Sequence, residues 1–172
     1  MLAVGCFDVT IEHQAAIALL VNASLHGAAF ALLRVLTESL VRGLWLLHCA
    51  TEAEFAAFKR GKLDKSFAQL IAEFEDKIDT PNGVLSNFKA TAWGPLNGFT
   101  HTGFHQVSRR HAPGRVEGTY PAHEVAKALG VAGAVGLIAA GQIIGLSDRQ
   151  ERLPSYIERM TKYAQNAPEL KS

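Results

Sequence analysis

The stretch AAFALLRVLTESLVRGLWLLHCA, residues Ala28–Ala50, carries apolar side chains almost all the way round a helix, so it must lie at the centre of a larger packing unit. Its few polar groups, Arg34, Glu38 and Arg42, recur every four residues and therefore project from one side. Three charges on a central helix cost several kcal/mol (roughly) unless each is paired, so the ladder marks either a structural ion network, a dimer contact or a functional site.

The neighbouring segments repeat the helical period. Ile11–Gly27 places Ile11, Ala15, Ala18, Leu19, Val21, Asn22 and Leu25 at helical intervals, with Gly27 ending or thinning the helix. Thr51 and Glu54 form a capping box that opens a short helix over Glu52–Arg60, stopped at Gly61. Asp64 is positioned to cap the next helix, whose stripe Phe67, Leu70, Ile71, Phe74 and Ile78 stops before the turn Pro81-Asn82-Gly83. A weaker helix over Val84–Trp93 is expected to break at Gly94 and Pro95, and Pro95 then opens a helix running to about His111. Pro113, Gly114, Gly118 and Pro121 mark a loop before a helix over Tyr120–Leu146, and Ser147 or Asp148 caps a last helix containing Pro154. No alternating strand pattern is present. The expected fold is all-α, one bundle of six to eight helices over residues 1–172, with a polar tail from about 166.

With 172 residues, 48% of them hydrophobic and 19% charged, the chain has the composition of a globule and not of a disordered or fibrous segment. A net charge of +1 provides no overall field for nucleic acid or anionic lipid, so any such contact must be local. Cys6 and Cys49 stand far apart, which encodes neither a disulfide framework nor a zinc knuckle. Met1–Thr10 carries Asp8 and no basic start, unlike a secretory signal, and the expected location is the cytoplasm. Ala128–Leu146 is interrupted only by Gln142 and approaches the length of a membrane span. Its five glycines, the Gly141 and Gly145 pair among them, favour close helix packing, so a buried central helix is expected and a membrane helix is the alternative.

A second polar stripe lies in NGFTHTGFHQVSRRH, residues Asn97–His111, where Asn97, His101, His105 and Arg109 fall four apart on the expected helix. Histidines at i and i+4 suit a metal, with Glu38 as a third ligand, but the neighbouring arginines repel a cation, and neutral histidines bonded to the Arg34/Glu38/Arg42 face are favoured. Gly103 would permit that approach. Neither a metal nor a cofactor is expected, since no Walker loop, dinucleotide fingerprint or paired-carboxylate helix is present. The two stripes together offer arginine clamps (Arg34, Arg42, Arg109), an acid or base (His101 or His105) and an orienting carboxylate (Glu38), a set suited to phosphate-ester chemistry. Lys59, Arg60, Lys62 and Lys65 read as a solvated edge, and Trp45 and Trp93 as anchors in a core or interface.

Arg34–His48 and Leu96–His105 resemble an uncharacterised bacterial helical family in which an R-x-x-x-E-x-x-x-R-x-x-W helix precedes an N-x-x-x-H-x-G segment. Such proteins are distantly similar to HEPN bundles, many of which are metal-independent RNases of toxin–antitoxin or phage-defence systems, with R-x(4–6)-H facing its copy across a dimer. Arg42 to His48 is R-x5-H, although Gly43 replaces the usual polar residue after the arginine. The resemblance implies a homodimer that binds RNA or nucleotides and cleaves RNA with Arg42, His48 or His101, and Glu38, while Arg34, Asn97, His105 and Arg109 hold the substrate. The alternative is a non-catalytic interaction module with an antitoxin or regulatory protein as partner.

Overall fold

The computed structural model describes residues 1–78 and 83–166. Among them are eight α-helices: α1 (Leu2–Asn22), α2 (His26–His48), α3 (Glu52–Lys59), α4 (Phe67–Lys77), α5 (Val84–Thr100), α6 (Phe104–Val107), α7 (Ala122–Leu146) and α8 (Leu153–Asn166). The fold is an all-α bundle. As its sequence requires, α2 is the axis, and α1, α4, α5 and α7 pack round it. Two apolar clusters divide it lengthwise. Phe7, Leu40, Val41, Leu44 and Trp45 meet Leu70, Ile71 and Phe74 at one end, while Ile17, Phe30, Leu33 and Leu36 meet Leu96, Phe99, Ala128 and Ala132 at the other.

Helix ends decide where the sequence reading holds. The box at Thr51 and Glu54 is present, and Gly61 follows the end of α3 at φ +65°, with Lys62 N–H donating to Ala57 O at 2.9 Å. The same closure ends α1, but with Ser24 in the left-handed position (φ +60°) and Leu25 N–H on Leu20 O at 2.8 Å. Consequently α1 stops at Asn22 and not at Gly27, which lies inside α2, and it begins at Leu2, nine residues before Ile11. Gly27 instead makes room for two side chains, since a Cβ there would lie 2.8 Å from both the Tyr120 hydroxyl and an Arg110 nitrogen.

Two expectations for α4 and α5 are corrected. Ser66, with Gln69 answering it, caps α4 in place of Asp64. α5 runs unbroken through Gly94 and Pro95. The proline removes one bond, to the carbonyl of Thr91 on the solvent side, while Phe88 and Ala92 before it and Leu96 and Phe99 after it all join the same cluster. The N-terminus of α5 is stabilised from α4: Glu75 accepts the backbone N–H of Leu85 (2.7 Å) and of Ser86 (3.1 Å). Gly83 precedes α5 at φ +53°, whereas Pro81 and Asn82 of the expected turn lie outside the described residues.

A two-residue ladder, β1 (His111–Ala112) with β2 (Arg115–Val116), corrects the expectation of no strand; it is too short to show alternation. Pro113 and Gly114 turn it, Gly114 at φ +74° in the order of a type II turn.

α7 is not central. Ala128, Ala132, Gly136 and Ala139 are buried along one edge, while Leu129, Ile138 and Leu146 are exposed. By length and composition both α1 and α7 could cross a membrane. The glycines of α7 work in pairs other than the expected one. A Cβ at Gly133 would meet the Tyr163 hydroxyl at 2.5 Å, and one at Gly141 would collide with the Tyr156 ring; these two tyrosines of α8 donate to Gly130 O and to Leu137 O, the latter at 3.0 Å. Gly136 receives Gln14 of α1, and nothing approaches Gly145.

Candidate functional site

The first stripe is assembled as its spacing predicts. Glu38 accepts Arg34 Nε at 2.9 Å with one oxygen and Arg42 at 3.2 Å with the other. The carboxylate is largely buried at 13% side-chain exposure, whereas Arg42 is open at 41%, so the cluster holds one net positive charge with its freer guanidinium outward. Arg34 is gripped from a second helix. It meets His101 Nε2 at 2.6 Å and lies over the Trp93 ring at 5.3 Å. A guanidinium can only donate, so Nε2 accepts and the ring proton sits on Nδ1. Trp93 is itself stacked on Phe67, the ring centroids 4.1 Å apart.

The second stripe is divided, contrary to the expectation of one helical face. His101 is the C-cap of α5, Thr102 follows at φ +54°, and Gly103 N–H closes on Gly98 O at 2.6 Å. The chain then restarts as α6, followed by a 3₁₀ turn over Ser108–Arg110. Asn97 and His101 thus stay on α5, while His105 and Arg109 stand on separate short elements. Gly103 serves this reversal: a Cβ there would lie 3.1 Å from Gly98 Cα, and one on Gly98 would lie 2.9 Å from His105 Cδ2. The spacing that suggested a shared metal pair is lost with the helix. Glu38 is engaged by the arginines, and no group of three or more His, Cys, Asp or Glu side chains converges among the described residues.

His105 and Arg109 instead border a cavity of about 620 Å³ between α2, α5 and α7. Phe30, Leu33, Phe88, Leu96, Phe99 and Val131 form its apolar walls. Arg109 pairs with Glu124 at 2.7 Å and lies over the Phe99 and Tyr120 rings at 5.9 and 5.5 Å. On α5 the side chain of Asn97 has a buried Oδ1 with no hydrogen-bond partner among the described residues.

His48, read from sequence as a core histidine or as the partner of Arg42, is exposed at the end of α2 beside the Phe74 ring. Six residues separate it from Arg42, about 9 Å along the axis and about 240° round it, so the two do not meet within one chain.

A polar cluster that sequence reasoning missed ties α3 and α4 to α2. Lys65 Nζ lies 2.5 Å from Glu54 and 2.6 Å from Glu73, and the indole N–H of fully buried Trp45 donates to Glu73 at 2.6 Å. Hydrogen bonds from Lys65 hold both carboxyls below their ordinary range, Glu54 at about 2. Burial pushes the nearby Cys49 thiol up, and likewise Cys6, so neither is poised as a thiolate nucleophile. The only sequence signal for this cluster was Lys65 itself, which the basic run Lys59–Lys65 disguised as solvated surface.

The chain belongs to a family of unknown function, DUF6988, whose model matches residues 7–169. No curated protein and no solved structure matches it.

Proposed function

We propose that this member of the DUF6988 family is a cytoplasmic, homodimeric protein of HEPN type that binds RNA or a nucleotide through its phosphate at Arg34, Arg42 and His101. The observation that carries the reading is the bracing of two arginines by the single carboxylate of Glu38, which leaves one net positive charge, an open Arg42, and Arg34 in contact with His101. Guanidinium groups held in fixed orientation suit phosphate oxygens, and the Nδ1–H of His101 adds a third donor. The R-x5-H spacing of Arg42 and His48 supports RNA as the ligand and a second copy as the other half of the site.

Metal-independent cleavage asks for one rearrangement. To act as a base on a ribose 2′-hydroxyl, His101 must free Nε2 from Arg34; the arginines would then stabilise the charge of the phosphorane. As arranged, the cluster holds a phosphate and does not abstract a proton.

Anisotropy of an end-labelled oligoribonucleotide, followed by a denaturing gel of the same samples, tests this. Binding that weakens with salt and falls at least about tenfold in Arg42→Gln at an unchanged melting midpoint supports it. New ends lost in His101→Ala would add the nuclease step. Unaltered affinity in both Arg34→Gln and Arg42→Gln overturns the proposal. A second reading, a regulatory interaction module, is favoured by Arg34 joining α2 to both His101 and Trp93 of α5. It expects Arg34→Gln to lower the melting midpoint with no RNA effect.

A further inference from the structure

We infer that the cavity between α2, α5 and α7 is a binding site for a small amphiphilic anion, a molecule with an apolar body and one negatively charged head. The site lies apart from the phosphate cluster, which uses Arg34, Trp93 and His101, none of them a wall of this cavity. Its volume of about 620 Å³ falls inside the range that holds small ligands, about 300–1,000 Å³.

The walls are hydrocarbon. Phe30, Leu33, Leu96 and Phe99 are each at most 8% exposed and present ring and methyl surface from α2 and α5, while Ala128 and Val131 of α7 close the far side. A body with exposed polar groups would lose their hydration against these walls without replacement bonds. Polarity is confined to His105, Arg109, Glu124 and Lys127 together with Thr91. Arg109 and Glu124 neutralise one another at 2.7 Å. Lys127, next to Ala128 and about one helical turn before Val131 on α7, makes no ion pair among the described residues, and His105 makes no hydrogen bond among them. The polar rim therefore carries one uncompensated positive charge and a free imidazole beside an apolar cavity. The occupant with matching charge and surface is an apolar anion, not a neutral lipid and not a cation.

Titration calorimetry of the full chain with decanoate, decyl phosphate and decanol, all below their aggregation concentrations, tests the inference. The expected result is saturable 1:1 binding of an anion, with decanol at least tenfold weaker, and the ratio of decanoate to decyl phosphate identifies the head. Lys127→Glu, a change at an exposed position, is expected to weaken the anion at least tenfold and leave decanol unchanged. Ala92→Phe, which fills the cavity, is expected to abolish both; if that variant does not fold, the Lys127 comparison decides alone. Failure of both anions to saturate overturns the inference, as does equal affinity for decanoate and decanol in wild type and Lys127→Glu. Oligoribonucleotide affinity of Lys127→Glu, expected to match wild type, keeps the outcome separate from the phosphate site.

Discussion

Replacing Gly43 with alanine is a direct test of how α1 seats on α2. A Cβ at that position would lie 2.5 and 2.8 Å from two atoms of the Phe7 ring and 3.1 Å from a third. The ring is fully buried within the first apolar cluster, so it cannot swing into solvent to make room. Forcing one methyl into such a contact costs about 1–3 kcal/mol, against about 1 kcal/mol gained from the better helix propensity of alanine. Phe7 has no escape, so the net effect falls in the upper part of the difference, a loss of about 1–2 kcal/mol. For a chain of this length that lowers the melting midpoint by about 2–8 °C, readable by circular dichroism at 222 nm. Gly5→Ala is the internal control. It lies on the same helix as Phe7 with nothing within 4 Å, so it is expected to raise the midpoint through propensity alone. The double variant Phe7→Leu/Gly43→Ala should be less damaged than the sum of its parts. If Gly43→Ala is neutral or stabilising like Gly5→Ala, the close approach of α1 and α2 is refuted. With it would fall the reason why glycine stands at position 43.

Other perturbations probe separate parts of the bundle. Thr102→Gly relieves a non-glycine left-handed residue and is expected to raise stability by about 1 kcal/mol in urea unfolding; a loss would mean that Thr102 makes a contact worth more than the strain. In the folded chain the Glu54 carboxyl titrates at about 2 instead of its ordinary 4.5, and Glu73 is also lowered, chiefly because Lys65 hydrogen-bonds both. The stabilisation from Glu54 is therefore complete above about 4.5 and is lost as pH falls towards about 2, and that from Glu73 is lost in the same direction, on acidification. Lys65→Met should flatten that acid limb in a pH series of melting midpoints, and an unchanged slope would remove the network. Glu75→Ala leaves the first N–H groups of α5 without their acceptor and is expected to cost about 1–2 kcal/mol, visible as faster amide exchange at Leu85 and Ser86; unchanged exchange there would contradict the cap. Gly141→Val places branched bulk against the Tyr156 ring, so limited proteolysis should release α8 sooner than in wild type, and equal resistance would mean that α8 is held elsewhere.

The legible parts of the fold are those in which one residue type has one role. Apolar residues right round Ala28–Ala50 marked the axis helix, Thr51 with Glu54 marked a start, and Gly61 marked an end. Where the left-handed residue closing a helix is not glycine, as at Ser24 and Thr102, the end was invisible. The sequence therefore misplaces the end of α1, and it merges the second half of α5, from Pro95, with α6 and the 3₁₀ turn into one helix. Pro95 misled for the opposite reason: burial of Phe88, Ala92, Leu96 and Phe99 on one face outweighs a single missing bond on the solvent side. The site followed the same rule. Arg34, Glu38 and Arg42 sit on an uninterrupted helix, and their spacing translates directly into contact. Asn97, His101, His105 and Arg109 span a hidden boundary, so equal spacing left His101 on Arg34, His105 and Arg109 at the cavity, and Asn97 in neither group. The Lys65 network joins three elements and has no local period from which it could be read.

The central claim is that Arg34, Arg42 and His101 act as one phosphate site. Heteronuclear NMR of the guanidinium Nε–Hε groups of Arg34 and Arg42 and of the His101 ring, during titration with uridine 3′-monophosphate, tests it most directly. The account predicts that all three signals move together along one saturating curve that Arg42→Gln abolishes. No movement at saturating nucleotide, or movement confined to Lys59, Arg60 and Lys62, would contradict it.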